Sequence, residues 1–204
     1  QIPVSKIGIK GSSQGASKVP YILNKLPDLN YGIVVSCPGV TLLESDLNYW
    51  KNSNSNVIGD DIDEAVNLQG DVFRFIAGTL SKNDLEKLIK SKKDKGWFKN
   101  IWIPNLDEVK TDDKLNYSPI PYFEKVNQPI LIVQGTKDEI IPVESSQIIA
   151  EALKKANNDD FEVHLLEGAS HSMNYVGKSD FPYWSKLHSD YLETLYNWMS
   201  KTTE

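Results

Sequence analysis

The sequence lacks the features of several large protein classes. Its 204 residues contain a single cysteine, Cys37, which excludes an internal disulfide and a zinc site built from several cysteines. No stretch approaches the ~20 consecutive apolar residues of a membrane-spanning helix. Lysine and arginine total 22 against 28 acidic residues, which gives a net charge of -6, and no basic stripe alternates with aromatic residues. We therefore expect no nucleic acid partner and no membrane span.

Histidine is also scarce. The three histidines, His164, His171 and His188, do not show the His-x-x-x-His spacing of a helical metal site. The sequence accordingly predicts no metal and no cofactor. His164 falls within a predicted strand and His188 within a predicted helix, so we interpret both as structural or surface residues. Only His171 follows the end of a predicted strand.

The most informative stretch lies near the amino terminus, where apolar residues lead into Gly11-Ser12-Ser13-Gln14-Gly15 and then into helix-forming residues. A short strand, Gly-x-Ser-x-Gly and a helix are the pattern of a nucleophile elbow. The sharp turn forces Ser13 into strained backbone geometry, and glycine at 11 and 15 is expected to avoid a clash. The motif alone is moderately specific, because glycine-rich turns join strands to helices in many α/β proteins.

Further strands and helices alternate along the rest of the chain. Three apolar runs predict strands of a mostly parallel sheet, Tyr31–Cys37, Pro129–Gln134 and Phe161–Leu166. The last alternates most strongly, as a strand near the sheet edge does. Helices are predicted over residues 16–26 and 143–156. A closing helix is predicted to present one apolar face, formed by Trp184, Leu187, His188, Tyr191, Leu195 and Trp198.

A large helical insertion is predicted over residues 42–125, where the sequence is polar, rich in asparagine and without a convincing strand. It divides a core formed by residues 1–41 and 126–204. The insertion is rich in aromatic residues, which we interpret as its own core. The alternative is that some of them line an apolar substrate pocket. These residues are Tyr49, Trp50, Phe73, Phe75, Trp97, Phe98 and Trp102.

Three predicted strand exits carry residues that can act together. Parallel α/β sheets place functional residues on the loops that follow their strands, and Ser13, Asp138 and His171 lie on three such loops. The order serine, acid, histidine is that of the α/β-hydrolase arrangement, whereas trypsin-like and subtilisin-like enzymes use other orders. Ser12 and Glu139 are rivals for the first two positions, although neither occupies the position that the motif requires.

The chain resembles the carboxyl-terminal part of an α/β-hydrolase-fold serine hydrolase, of the bacterial esterase or acyl-peptidase-like kind with a helical cap insertion. The resemblance implies that Ser13 is the nucleophile, His171 the general base and Asp138 the carboxylate that orients it. The backbone N–H of Gln14 would then donate to the oxyanion. The segments that carry the resemblance are Ile7–Ala16, Ser36–Val40, Tyr122–Pro129, Ile130–Pro142 and Leu165–Met173.

The same resemblance implies strands before the elbow, one of which carries a second oxyanion donor. None precedes Ile7 here, so we expect a fragment of a longer enzyme, or a truncated protein completed by self-association. In either case the edge of the elbow strand would pair with another copy or with the missing amino-terminal segment. Without that terminus the localisation stays open between the cytoplasm and the secreted or periplasmic space.

Two functions compete on these observations. The first is a serine hydrolase that cleaves a small carboxylic ester, with amides or short peptides as near alternatives, through an acyl-serine intermediate. The second is a catalytically inactive α/β domain that acts in binding or assembly, favoured by the missing oxyanion loop and by Lys10 in the elbow strand. A nucleotide-binding domain is disfavoured, because residues 11–15 lack both Gly-x-Gly-x-x-Gly and a phosphate-loop lysine.

Overall fold

The chain divides into two compact units. The computed structural model describes residues 3, 6–175 and 186–203. We call the units the sheet unit, which comprises residues 1–40 and 118–204, and the helical unit, which comprises residues 41–117. The predicted insertion therefore ends at Tyr117 rather than Lys125. The reason is that Phe123 lies in a short helix that packs on the sheet unit, where its side chain is completely buried.

Four parallel strands form the sheet, in the order β1-β2-β3-β4. Every residue of β2 and β3 is buried, as their continuous apolar sequences predicted. In the described part of the chain β1 and β4 are the outer strands, and pairing through the edge of β1 stays a prediction. The bounds are Ile9–Ser12 for β1, Gly32–Val35 for β2, Ile130–Gly135 for β3 and Phe161–Leu166 for β4.

Helices supply the rest of the regular structure. Those of the sheet unit are α1 (Val19–Lys25), α5 (Ile120–Phe123), α6 (Ser145–Lys155) and α7 (Ser189–Thr203). Those of the helical unit are α2 (Leu42–Ile58), α3 (Ile62–Ile76) and α4 (Lys82–Lys92). Parallel strands with helices on both faces and an inserted helical unit confirm the predicted fold class.

The first and last helices predicted in the sheet unit begin later than expected, as does α6, which begins at Ser145 rather than Val143. The helix predicted from Ala16 starts as a 3-10 segment over Ser13–Lys18, and α1 follows with Pro20 in its first turn, where a missing N–H is tolerated. The closing helix α7 excludes His188, because the His188 N–H donates to the Met173 carbonyl at 2.8 Å. Trp184 lies outside the described residues.

Apolar layers cover both faces of the sheet because successive side chains of a strand point in opposite directions. Val34, Ile130 and Ile132 pack with α1 and α6 on one face. The other face packs on Tyr191, Leu195 and Trp198 of α7 through Ile33, Val35, Leu131 and Val133. Lys10 is aligned with Ile33, and its amine lies 5.9 Å from the centre of the Tyr191 ring. The lysine is thus accommodated beside an aromatic ring.

The helical unit has a core of its own. Trp97 is buried there with aliphatic residues of α3 and α4, and Trp50, Phe75 and Phe98 pack around it. This agrees with the interpretation that most of the aromatic residues are structural. Tyr49 and Trp102 are exceptions, since about half of each side chain is exposed. A capping box at Thr41 begins α2, and the Ser81 hydroxyl accepts the Asp84 N–H at the start of α4.

Candidate active site

The three predicted site residues meet at the carboxyl edge of the sheet. Ser13 directly follows β1, Asp138 follows β3 and His171 follows β4. His171 Nε2 lies 2.9 Å from Ser13 Oγ, and His171 Nδ1 lies 3.0 Å from both carboxylate oxygens of Asp138. With the proton on Nδ1 donated to Asp138, Nε2 accepts the hydrogen bond of the Ser13 hydroxyl. The imidazole therefore connects the serine to the carboxylate.

The backbone at Ser13 is strained, as the elbow motif predicted. Its φ is +53°, in the left-handed region that residues other than glycine rarely occupy. Gly11 is required for close approach, because a Cβ there would lie 2.5 Å from the Gly15 carbonyl oxygen. The prediction for Gly15 is wrong, since beyond its own helical segment no described atom lies within 4 Å of where its Cβ would be. The sharp turn thus depends on the left-handed backbone of Ser13 and on the absence of a side chain at Gly11.

Gln14 is the second residue of the 3-10 segment Ser13–Lys18, and its carbonyl accepts the Ser17 hydroxyl at 2.7 Å. This bond engages the carbonyl of Gln14, which belongs to a different peptide unit from its N–H. The assignment of that N–H to an oxyanion therefore stays a prediction.

The carboxylate of Asp138 is fully buried and densely hydrogen-bonded. Besides His171, its oxygens accept the N–H groups of Ile140 and Ile141, each at 2.9 Å. Burial alone would raise the pKa of Asp138, but the hydrogen bond from His171 and those from Ile141 and Ile140 outweigh it, so the pKa lies below its usual value. The group is therefore held ionised beside the imidazole.

Gln134 completes the surroundings of this carboxylate and was missed in the sequence. It lies near the end of β3, is 1% exposed, and donates from Nε2 to Asp138 Oδ2 at 2.9 Å. A signal was present, because Gln134 is the one amide side chain in an otherwise apolar strand. Buried polar side chains need partners, and a following strand exit is where such a partner is found.

A close approach of two loops brings Asp138 and His171 together. A Cβ on Gly135 would lie 2.3 Å from the Ala169 carbonyl oxygen, so only glycine allows the loops after β3 and β4 to meet there. The Lys137 N–H donates to the same carbonyl at 2.9 Å, and the Thr136 hydroxyl accepts the Gly168 N–H at 2.9 Å. These contacts fix the distance between the two side chains.

The rival residues are engaged elsewhere. Ser12 Oγ lies 3.4 Å from the Lys10 amine, and Glu139 approaches the backbone N–H of His171 at 3.4 Å rather than its ring. His164 Nε2 lies 3.1 Å from a Glu162 carboxylate oxygen on the outer strand. His188 Nε2 lies 3.1 Å from the Glu167 carbonyl. The structure thus brings the side chains of Ser13, Asp138 and His171 together, whereas Glu139 reaches only the backbone of His171.

Three further features concern thiol chemistry, metal binding and the membrane. Cys37 is buried and burial raises the pKa of its thiol far above the usual value, so it is unsuited to nucleophilic chemistry. Within residues 6–175 and 186–203, no three side chains of the metal-binding types cluster together. Over the same residues, no helix combines the length and the apolar character needed to cross a membrane.

Comparison with known proteins finds a family match and one curated relative. The model of the prolyl oligopeptidase family, Peptidase_S9, matches residues 62–201, which include Asp138 and His171 and begin after Ser13. The uncharacterized peptidase YuxL of Bacillus subtilis strain 168 is 32% identical over 85 residues. That alignment covers 41% of this chain and 13% of YuxL.

Solved structures of low similarity include two archaeal hydrolases. Acylaminoacyl peptidase of Pyrococcus horikoshii is 17% identical with a TM-score of 0.42, and the match covers 82% of this chain and 20% of that one. An esterase of Pyrococcus furiosus is 13% identical with a TM-score of 0.46, covering 97% of this chain and 50% of that one. This chain therefore spans half or less of the length of each.

Proposed function

This chain belongs to the prolyl oligopeptidase family and has the α/β-hydrolase fold, and from that premise we propose that it is a serine hydrolase of carboxylic esters. The observation that carries the proposal is the hydrogen-bonded series from Ser13 through His171 to Asp138, with distances of 2.9 Å and 3.0 Å. A nucleophile, a base within reach of it and a carboxylate behind the base form the arrangement required for acyl transfer.

In the first step, Ser13 Oγ attacks the carbonyl carbon of the ester. As the new C–O bond forms, His171 Nε2 takes the hydroxyl proton and the carbonyl electron pair moves onto oxygen. The imidazolium that results is stabilised by Asp138, whose lowered pKa keeps it negatively charged. The negative oxygen of the intermediate accepts a hydrogen bond from the Gln14 N–H in this proposal.

The intermediate then collapses to an acyl-serine. The C–O bond to the alcohol breaks, and His171 Nε2 returns its proton to the departing oxygen. Water takes the place of the alcohol and attacks the acyl carbon as His171 Nε2 takes one of its protons. The C–O bond to Ser13 then breaks and Nε2 returns the proton to Oγ, which releases the acid and restores the Ser13 hydroxyl. The left-handed backbone at Ser13 supports these reaction steps, because the elbow presents Oγ to a substrate at the edge of the sheet.

Amides and short peptides are the second candidate class. The membership of a peptidase family and the partial similarity to YuxL favour them. An amine is a poorer leaving group than an alcohol, so peptide cleavage depends more strongly on proton donation by His171 and on the oxyanion donors. Esters are the less demanding substrate for the groups named above.

A matched pair of chromogenic substrates tests the proposal. p-Nitrophenyl acetate and p-nitroacetanilide carry the same acyl group on an oxygen and on a nitrogen leaving group. We expect the purified protein to hydrolyse the ester faster than the anilide, and Ser13→Ala to hydrolyse neither above background. Faster cleavage of the anilide would favour the peptidase candidate. Wild-type protein that does not exceed Ser13→Ala on either substrate would favour an inactive binding domain.

A further inference from the structure

A second serine shares the unusual backbone of Ser13. Ser36 is the first residue after β2, its φ is +46°, and it is 1% exposed. Asn157 and Met173 are the other non-glycine residues with positive φ in the described ranges. Glycine adopts the left-handed region without strain, so another residue kept there indicates that its side chain is needed. At Ser36 the side chain is needed for the hydrogen bond that its hydroxyl forms.

The hydroxyl of Ser36 binds the histidine loop. Ser36 Oγ donates to the backbone carbonyl of His171 at 2.9 Å, across 135 residues of sequence. The donor is itself held in place, because the Ser36 N–H donates to the Val133 carbonyl at 2.9 Å. The bond thus joins the residue that follows β2 to the backbone of His171.

Ser13 and Ser36 occupy equivalent places in the sheet. Ser12 of β1 is paired with Val35 of β2, so Ser13 and Ser36 are the next residues along two neighbouring parallel strands. Both turn into the left-handed region, and both hydroxyls contact His171, one at Nε2 and one at the carbonyl oxygen. His171 is consequently held at its ring and at its backbone from two adjacent strand exits.

We propose that Ser36 is a positioning residue, whose hydroxyl fixes the His171 backbone relative to the sheet so that Nε2 lies within hydrogen-bonding distance of Ser13 Oγ. The inference rests on the function proposed above. The internal bonds of the loop, such as the one from the Ser170 N–H to the Asn174 carbonyl at 2.7 Å, shape the loop without joining it to the sheet. Contacts of Gly168 and Ala169 join the loop to the exit of β3. Ser36 joins it to the exit of β2 at His171 itself. Displacements of about 1 Å at a reacting group lower turnover by roughly 100-fold.

Ser36→Gly is the sharpest variant, because it removes the hydroxyl and at the same time relieves the left-handed strain. We expect kcat on p-nitrophenyl acetate to fall by roughly 10- to 100-fold with KM little changed. Labelling of Ser13 by a fluorophosphonate is expected to slow by the same factor. The melting temperature is expected to stay near that of the wild type, since the lost bond and the relieved strain oppose each other. Ser36→Ala should lose the same activity and melt at a lower temperature.

Two remote variants are matched controls. Ser146→Ala removes a buried hydroxyl that donates to the Val143 carbonyl at 2.9 Å, and Asn157→Gly relieves a left-handed residue with φ of +58°. Both should keep wild-type kcat. A Ser36→Gly protein with unchanged kcat, or one whose activity is lost only through unfolding, would overturn the positioning role. An inactive and unlabelled wild type would instead overturn the proposed function.

Discussion

The sheet unit and the helical unit use polar side chains in different ways. In the sheet unit, the buried side chains of Gln134 and Asp138 form hydrogen bonds that lead to His171. In the helical unit, the buried side chain of Gln69 bonds only to the backbone, and charged residues such as Glu64 form pairs at the surface. A buried polar group is tolerated only when it is hydrogen-bonded, so its partner indicates whether it orients the site or stabilises the backbone. Loss of the polar groups bonded towards His171 should therefore affect chemistry, and loss of the Gln69 amide should affect stability.

The largest effect is expected at Ser13. Ser13→Ala and Ser13→Gly should both lose about 10⁶-fold in kcat on the ester, because neither retains a nucleophile. The glycine variant should be about 1 kcal/mol more stable than the alanine variant, since φ of +53° strains alanine and not glycine. Thermal or urea unfolding measures this difference. Equal stability of the two variants would contradict a strained elbow.

Asp138→Asn is expected to lower kcat by roughly 10⁴-fold, because an amide can hold the imidazole in the wrong tautomer and cannot stabilise its charge. Glu139→Gln is the matched control on the adjacent carboxylate, which lies near the backbone of His171 and not its ring. It should keep most of its activity in the same steady-state assay. Similar losses in both variants would break the assignment of the acid to Asp138.

The two buried glutamines test the comparison between the units directly. Gln134→Leu should lower kcat roughly tenfold, because Asp138 loses a donor that orients it. Gln69→Leu should leave kcat unchanged and destabilise the protein by about 1 to 3 kcal/mol, because the N–H and the carbonyl of Trp102 lose their partner. Paired kinetic and unfolding measurements separate the two effects. If both variants lost activity in proportion to their lost stability, the two glutamines would not differ in role and the contrast between the units would be wrong.

Acid should remove part of the stability of the sheet unit. The pKa of Asp138 is lower in the folded protein than its value of ~3.9 in an unfolded chain, so its ionised form stabilises the fold above about pH 4. That contribution is lost as the pH falls through the lower, folded pKa. The free-energy difference between wild type and Asp138→Asn, from urea unfolding, should therefore be larger at pH 7 than at about pH 3. A difference independent of pH would contradict the lowered pKa.

The smallest effect is expected at the surface of the helical unit. Hydrogen bonds from Lys92 and Lys95 lower the pKa of Glu64 to about 2, yet these partners are exposed to solvent. Glu64→Gln keeps an acceptor for the Trp97 indole and removes the charge. Its melting temperature should change by less than about 2 °C, and kcat should not change. A larger shift in melting temperature that salt abolishes would show that surface charge contributes substantially to the stability of the helical unit.

Much of the sheet unit was predictable because its signals are local. Continuous apolar runs identify β2 and β3, and residues at the exits of parallel strands identify Ser13, Asp138 and His171 as neighbours. The structure brings these three to hydrogen-bonding distance, while their roles, and the oxyanion role of Gln14, stay predictions. The family match supports the fold that the resemblance implied.

The rest depends on contacts between distant parts of the chain. The link from Ser36 to His171 spans 135 residues and depends on a backbone torsion that no sequence pattern encodes. Gln134 stood out as a polar residue in an apolar strand, but its bond to Asp138 depends on the fold of the loop that follows. The end of the insertion was misplaced because burial of Phe123 is a tertiary contact. Such features follow from packing and become visible only in three dimensions.

Mapping of a fluorophosphonate adduct tests the central claim most directly. Trypsin releases residues 11–18 as one peptide, which contains Ser12, Ser13 and Ser17 together. Tandem mass spectrometry of the labelled protein should place a single adduct on Ser13, and His171→Ala should label far more slowly because the base that activates Oγ is gone. An adduct on Ser12 or Ser17, or labelling that does not depend on His171, would contradict the account.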